Sequence, residues 1–168
     1  MKKLLLLSLT LAVSLSSIAQ VGKKNWSLPA VDIKTMDGRN FNTSEIKNDG
    51  HPTIVSFWAT WCKPCIKELS TIADEYEDWQ DETNVKLVAI SIDDARNAQK
   101  VAPFVNGKGW EYDVYVDSNG DLKRAMNVNS VPHTFLLNGD NEVVYSHNSY
   151  SPGDEEELYE KVKANLKK

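Results

Sequence analysis

The spacing of apolar positions changes between residues 52 and 93. Continuous apolar runs predict strands, and intervals of three and four predict a helix between them. Residues 52–59, PTIVSFWA, are β-branched and aromatic without regular polar alternation, which is typical of a strand buried on both faces. Five later residues recur at intervals of three and four, which places them on one face of a helix: Cys65, Leu69, Ile72, Tyr76 and Trp79. Residues 85–93, VKLVAISID, predict a second buried strand.

Two further segments predict helices. Residues 94–110 indicate a helix that Pro103 kinks or interrupts and that ends at Gly107. Residues 154–168 predict a closing helix, since they are acidic at the start and basic at the end, as the helix dipole favours.

The first nineteen residues have a different character. Met1-Lys2-Lys3 precedes a run of apolar and small residues, and Ser17 and Ala19 fit the small positions of a signal-peptidase site. A membrane anchor is the alternative, but the run is short, no basic stop-transfer cluster follows it, and it has no cysteine for lipidation. We therefore expect residues 1–19 to be a cleaved signal peptide and residues 20–168 to form a single domain.

Charge narrows the range of partners. Loss of Lys2 and Lys3 with the leader changes the formal charge from −5 to −7 over the remaining 149 residues. An acidic surface argues against nucleic acid and anionic lipid as main partners.

The two cysteines, Cys62 and Cys65, lie within the pentapeptide WCKPC. A disulfide across so small a ring stabilises a fold by roughly 2 kcal/mol, against about 4.7 for a 100-residue loop. A tight ring is also easier to reduce, as catalytic disulfides are. Half of a zinc site is the alternative, but His51, His133 and His147 have no recognisable ligand spacing. Redox exchange is the stronger prediction.

The predicted elements place Cys62 where the strand turns into the helix. Pro64 lies in the opening turn of the helix, where its missing N–H costs nothing. Free N–H groups and the positive end of the helix dipole stabilise a thiolate there, so Cys62 is predicted to be the nucleophile. Cys65, one turn further in, is the natural resolving thiol.

These residues resemble a known family. WCKPC is similar to the thioredoxin active site, and with the leader and the following Ile-Lys-Glu it resembles the TlpA/ResA-like extracytoplasmic thiol-disulfide oxidoreductases. The resemblance covers residues 28–166. It implies an α/β thioredoxin-like fold with a mixed central sheet flanked by helices. It also implies an extra N-terminal β-hairpin that turns at Asp37-Gly38 and a terminal hairpin that turns at residues 138–141.

The resemblance also assigns a proline. In the family, a cis-proline packs against the disulfide, and the backbone before it pairs with an extended client segment; here these positions are Pro132 and Val131. An ordinary trans proline at a strand start is the alternative. His133, the next residue, either faces the sulfurs or is an exposed residue at the strand start.

The chain departs from thioredoxin at one position. Thioredoxin has a buried aspartate six residues before its first active cysteine, and Ser56 occupies that position here. The family resemblance makes Glu68, three residues after Cys65, the substitute that exchanges a proton with Cys65. The alternative is a solvated glutamate favoured by the helix dipole.

The remaining residues around the cysteines are assigned to client binding or to packing. Trp61 is expected to cover the disulfide and offer apolar surface, and Lys63 either favours a thiolate or is simply solvated. Residues 61, 63, 64, 131 and 133 make up the predicted client-binding set. Trp58 is expected in the core, and His51 and His147 on the surface near loops.

Together these observations predict a thiol-disulfide oxidoreductase outside the cytoplasm that works through a Cys62–Cys65 disulfide and needs no cofactor or metal, and the resemblance implies that it acts as a protein-disulfide reductase. The resemblance implies a role in cytochrome c maturation, protein clients with disulfides, a membrane reductant of the CcdA/DsbD type and a monomeric state. An oxidase or isomerase of the same chemistry is an alternative. A second alternative is a copper carrier that uses both cysteines and a histidine. A third is a thiol peroxidase, which needs a Pro-x-x-x-Thr-x-x-Cys pocket, but Thr60 has no matching proline.

Overall fold

The structure, a computed structural model, describes residues 26–166, so the predicted signal peptide lies outside the described residues. Within this range there are seven strands: β1 (Asp32–Thr35), β2 (Asn40–Asn42), β3 (Thr53–Trp58), β4 (Lys86–Ser91), β5 (Asp113–Val116), β6 (His133–Leu137) and β7 (Val143–Asn148). The same range contains four α-helices: α1 (Lys63–Thr83), α2 (Val101–Lys108), α3 (Asp121–Ala125) and α4 (Asp154–Ala164).

All seven strands belong to one mixed sheet in the order β2-β1-β5-β4-β3-β6-β7. β3, β4 and β5 are parallel, and β6 runs antiparallel to β3 and β7 antiparallel to β6. The N-terminal pair β1–β2 joins through the antiparallel pairing of β1 with β5. The predicted thioredoxin-like sheet and its extra N-terminal hairpin are therefore confirmed, with Gly38 in the turn at a φ of 86°.

Every residue of β3 is buried, as its unbroken apolar run predicts. Ile54 and Trp58 face one core, which also contains the buried side chains of α1, α2 and α4. Val55 and Phe57 face a second core on the opposite side of the sheet, closed by α3 and the N-terminal segment. Burial on both faces fixes the direction of β3, and with it the place where the chain leaves the sheet to start α1.

α1 buries all five residues of its predicted apolar face. Cys62 is the N-cap, Pro64 lies in the first turn, and the helix ends where Asn84 adopts the left-handed conformation. Trp79 stacks on Tyr159 of α4 with ring centroids 4.6 Å apart, which locks the two helices together.

The prediction for residues 94–110 was wrong in two respects. Pro103 falls in the first turn of α2, after a 3-10 turn at residues 98–100, so its missing N–H breaks no helical hydrogen bond. The helix continues through Gly107 to Lys108, because Gly109 adopts the left-handed conformation that ends it.

α4 begins where predicted but ends earlier, at Ala164. Among residues 26–166, no helix combines the length and the apolar character needed to cross a membrane.

Gly139, in the β6–β7 turn, allows a close backbone approach. A Cβ at this position would lie 1.9 Å from the carbonyl oxygen of Gly50, whereas a Cβ at Gly107 in α2 would meet nothing within 4 Å. The Gly139 turn therefore lies directly against the loop before β3 and leaves no room for a side chain.

We expect Gly139→Ala and Gly107→Ala to change stability in opposite directions. Gly139→Ala should lower the free energy of unfolding by about 1–3 kcal/mol, because the backbone of Gly50 has to move. Gly107→Ala should raise it by about 0.5–1 kcal/mol, because alanine favours a helix interior. Urea unfolding followed by circular dichroism measures both, and equal effects would contradict the close approach.

Candidate active site

The two cysteines form a disulfide in which both sulfurs lie on the first turn of α1. Their Cα atoms are 5.3 Å apart, and the N–H of Cys62 donates to the carbonyl of Ala59 at 3.0 Å, which closes the turn from β3. Cys65 is fully buried, whereas Cys62 is 5 % exposed. Any reagent or client therefore reaches Cys62 first.

The start of α1 also supplies the electrostatics of the site. The N–H of Cys65 points at the sulfur of Cys62, 3.3 Å away, in the position of an N-cap hydrogen bond. In the reduced protein the same N–H group and the helix dipole stabilise negative charge on Cys62 rather than on Cys65. This geometry supports the predicted division into nucleophile and resolving thiol.

The predicted cis-proline follows Val131, whose backbone lies near the disulfide. The Val131–Pro132 peptide bond is cis, as predicted, and Pro132 is buried. The carbonyl oxygen of Val131 lies 3.7 Å from the sulfur of Cys62. A backbone acceptor thus stands next to the reactive sulfur.

The surface around Cys62 is apolar and basic. Trp61 is 64 % exposed, and Lys63 and Pro64 are exposed beside it, while Val131 is half-buried. The Trp61 ring thus presents apolar surface next to Cys62 in the chain, and its predicted cover of the disulfide stays a prediction.

His133 is oriented differently from both alternatives. Its ring stacks on Phe135 with centroids 4.2 Å apart and is half-buried. Side chains alternate along β6, and Thr134 faces α1, so His133 points to the opposite face of the sheet. Burial, followed by the nearby His147, lowers the pKa of His133.

Glu68 is buried, which excludes the solvated alternative. It is only 1 % exposed, and its Oε1 accepts hydrogen bonds from the hydroxyl of Thr134 at 2.7 Å and from Nε2 of His147 at 3.0 Å. The Thr134 hydroxyl lies 2.9 Å from that of Ser56, which therefore donates to it. Ser56, at the position of the thioredoxin aspartate, is thus linked through Thr134 to Glu68.

The prediction for His147 was wrong. Instead of lying on the surface, His147 is on the inner face of β7 with a side chain 14 % exposed. The burial of β7 alternates from Val143 through Tyr145 to His147, and this period-two pattern was the signal that could have placed it. His51 is exposed, as predicted.

Sequence reasoning also missed Asp93, which holds the turn before Cys62. This fully buried carboxylate accepts from the Thr60 N–H at 2.8 Å, from the Thr60 hydroxyl at 2.7 Å and from the Ser91 hydroxyl at 2.8 Å. The sequence feature that could have revealed Asp93 is an acidic residue just beyond a buried strand. The carboxyl ends of parallel β3 and β4 meet there. Thr60 is therefore engaged with Asp93, which weakens the peroxidase alternative.

The copper alternative needs a histidine next to the cysteines. His133 stacks on Phe135, His147 binds Glu68, and His51 lies in the exposed loop before β3. Across residues 26–166, no three or more histidine, cysteine or acidic side chains come together as a metal-binding group. No histidine in this part of the chain therefore stands out as the third ligand of a copper site.

Comparison with known proteins places this site in a family. The model of the AhpC/TSA family matches residues 25–146. Sporulation thiol-disulfide oxidoreductase A of Bacillus subtilis is 34% identical over 127 residues, which cover 74% of each chain. Thiol-disulfide oxidoreductase ResA of the same organism is 28% identical over 145 residues, 84% of this chain and 78% of that protein.

A solved structure agrees with these relatives. The solution structure of an uncharacterized thioredoxin-like protein from Porphyromonas gingivalis is 50% identical, with a TM-score of 0.75 over 84% of this chain and 94% of that one. Together with the Cys62–Cys65 disulfide at the start of α1, these matches establish that the chain belongs to the AhpC/TSA family, among the ResA-like thiol-disulfide oxidoreductases of thioredoxin fold.

Proposed function

We propose that the chain is an extracytoplasmic protein-disulfide reductase. The observation that carries this proposal is the position of Cys62, whose sulfur lies at the start of α1 and 3.7 Å from the Val131 carbonyl, with Cys65 buried behind it. One sulfur is thus placed to meet a client, and the other to act only after the first has reacted.

The reaction transfers two electrons to the client. The thiolate of Cys62 attacks one sulfur of a client disulfide, forming the Cys62–client bond and releasing the other client sulfur as a thiolate. The thiolate of Cys65 then attacks Cys62, forming the Cys62–Cys65 disulfide and releasing the second client sulfur. Both client thiolates take up protons, so two thiols of this protein are oxidised and one client disulfide is reduced.

The client binds across the surface formed by the exposed residues 61, 63 and 64 and the half-buried Val131. The Trp61 ring supplies apolar contact, and the backbone of Val131 pairs with an extended client segment as in β-strand addition. His133 belongs to this surface only through its place beside Pro132, since its ring faces the other side of the sheet.

Glu68 is the proton acceptor of the resolving step. It lies one turn beyond Cys65, and its Oε2 is buried without a hydrogen-bond partner among the described residues. Cys65 has to lose its proton before it can attack the mixed disulfide, and an unpartnered carboxylate oxygen close by is suited to take that proton. Pro132 bounds the same site on the client side.

The leader and the family support the proposed direction and place of the reaction. The N-terminal sequence pattern supports export of the protein. Outside the cytoplasm, a separate membrane reductant of the CcdA/DsbD type would reduce the disulfide again. Cytochrome c maturation is the process we propose for its clients. The two thiols supply both electrons, so the reaction requires no cofactor. The protein acts as a monomer.

The first test is trapping. Cys65→Ser should accumulate mixed disulfides with client proteins, because the first attack proceeds and no thiol resolves it. Cys62→Ser should accumulate few, because Cys65 is fully buried. Non-reducing gels of a periplasmic extract measure both, and equal trapping by the two variants would refute the assignment of roles.

The second test concerns direction. Equilibration of the Cys62–Cys65 couple with thiol buffers should give a potential close to that of thioredoxin, about −270 mV, as a reductase needs. A value close to that of the oxidase DsbA, about −120 mV, would instead make the protein an oxidant of its clients.

The third test concerns Glu68. In a Cys62→Ser background Cys65 is the single thiol, and Glu68→Gln should move its alkylation profile to lower pH, because the neighbouring negative charge is gone. In the full dithiol protein, Glu68→Gln should slow the resolving step. Glu77→Gln, on the exposed face of α1, is the control. Superimposable alkylation profiles with and without the Glu68→Gln substitution would show that this carboxyl does not act on Cys65.

A further inference from the structure

We propose that His147 is a positioning residue of the redox site. Its Nε2–H holds one oxygen of the Glu68 carboxylate and thereby keeps the other oxygen available for the proton of Cys65. This inference rests on the proposed function, because it assigns a role within the resolving step.

The two oxygens of Glu68 have unequal surroundings. Oε1 accepts from Thr134 at 2.7 Å and from His147 at 3.0 Å, whereas Oε2 is buried and has no hydrogen-bond partner among residues 26–166. A buried carboxylate oxygen without a partner is unfavourable, so its persistence calls for a reason. In the oxidised protein Cys65 carries no proton. In the reduced protein its S–H, one turn before Glu68 on α1, would supply the donor that Oε2 lacks.

The two hydrogen bonds to Oε1 prevent the carboxyl group from turning. A half turn about its terminal bond only exchanges two equivalent oxygens, but any partial turn would move Oε1 away from both donors. Thr134 approaches from β6 and His147 from β7, so the group is held from two neighbouring strands. Loss of either donor would free the carboxyl group to turn Oε2 away from Cys65.

The surroundings of His147 indicate how it is protonated. Its Nδ1 is buried without a partner within the described part of the chain. A proton on Nδ1 would therefore be a buried donor without an acceptor, whereas the tautomer protonated at Nε2 donates to Glu68. The geometry thus fits a ring that carries a proton on Nε2 and donates it to Glu68.

Few other groups near this pair change charge around neutral pH. On β6, burial and His147 lower the pKa of His133, which keeps that ring neutral. Three phenols experience the charge of Glu68, and burial raises the pKa of each, so they stay protonated: Tyr112, Tyr145 and Tyr150. None of these four groups therefore places a charge beside the pair near neutral pH.

The test compares two substitutions of His147. His147→Gln keeps an N–H donor near the position of Nε2, whereas His147→Leu removes it. In single-turnover reduction of a client disulfide, His147→Leu should slow the resolving step about tenfold, part of the usual contribution of a general base of about 10²–10⁴. His147→Gln should stay within about twofold of the wild-type rate, and the first attack by Cys62 should be unchanged in both.

Thr134→Val provides a second route to the same answer, because it removes the other donor to Oε1. It should slow the resolving step and spare the first attack, even if His147→Leu fails to fold. His51→Leu, in the exposed loop before β3, is the matched control and should behave as wild type.

Two outcomes would overturn the inference: a wild-type resolving rate in His147→Leu, or a His147→Gln protein as slow as His147→Leu. Failure of the proposed function has a different signature, because the wild-type protein would then not reduce the client at all. In that case Cys65→Ser would also trap no client. The two failures are therefore distinguishable in one series of measurements.

Discussion

The cap of α1 is the interaction on which the site depends. A strand buried on both faces delivers the chain to the carboxyl edge of the sheet, and the chain turns there into the N-cap of a 21-residue helix. Putting a cysteine at that cap gives its sulfur the free N–H groups that a serine or aspartate oxygen would normally bind. Reactivity and helix initiation therefore use the same atoms.

Two buried carboxylates frame this cap, and each is satisfied by a different part of the sheet. Asp93, just beyond β4, has its donors in the turn before Cys62 and so fixes the backbone that presents the nucleophile. Glu68, three residues after Cys65 on α1, has its donors on β6 and β7 and keeps one buried oxygen that has no partner among the described residues. One carboxylate is fully used in holding structure, and the other is left incomplete where chemistry is proposed.

Much of the fold could be predicted from local sequence. The uniform burial of β3, the apolar face of α1 and the Asp37-Gly38 turn are properties of short segments, and all three were confirmed. Pro103 shows the limit of this approach. A proline signals a break, but only the position of the helix start decides whether the proline disrupts any hydrogen bond, and here the helix starts at Val101.

Site residues that belong to a sequence motif could be predicted, whereas those brought together by distant strands could not. The cysteines and Pro132 lie in recognisable sequences, whereas His147 is 79 residues from Glu68 and Asp93 is 33 residues from Thr60. The alternation along β7 could have placed His147 on the inner face, but nothing local shows which side chain its ring meets there. Only the register of β6 with β7 brings His147 opposite Thr134 and above α1.

The exposed Trp61 precedes Cys62 in the chain, and the carbonyl of Val131 lies 3.7 Å from the Cys62 sulfur. Neither group recognises a particular side chain: an indole accepts any apolar contact, and a carbonyl accepts any backbone N–H. A folded client would keep its own backbone groups paired and its apolar groups buried, and so would present neither. The site would therefore distinguish clients by conformation rather than by sequence, and a disulfide would become accessible only while the chain around it is still extended.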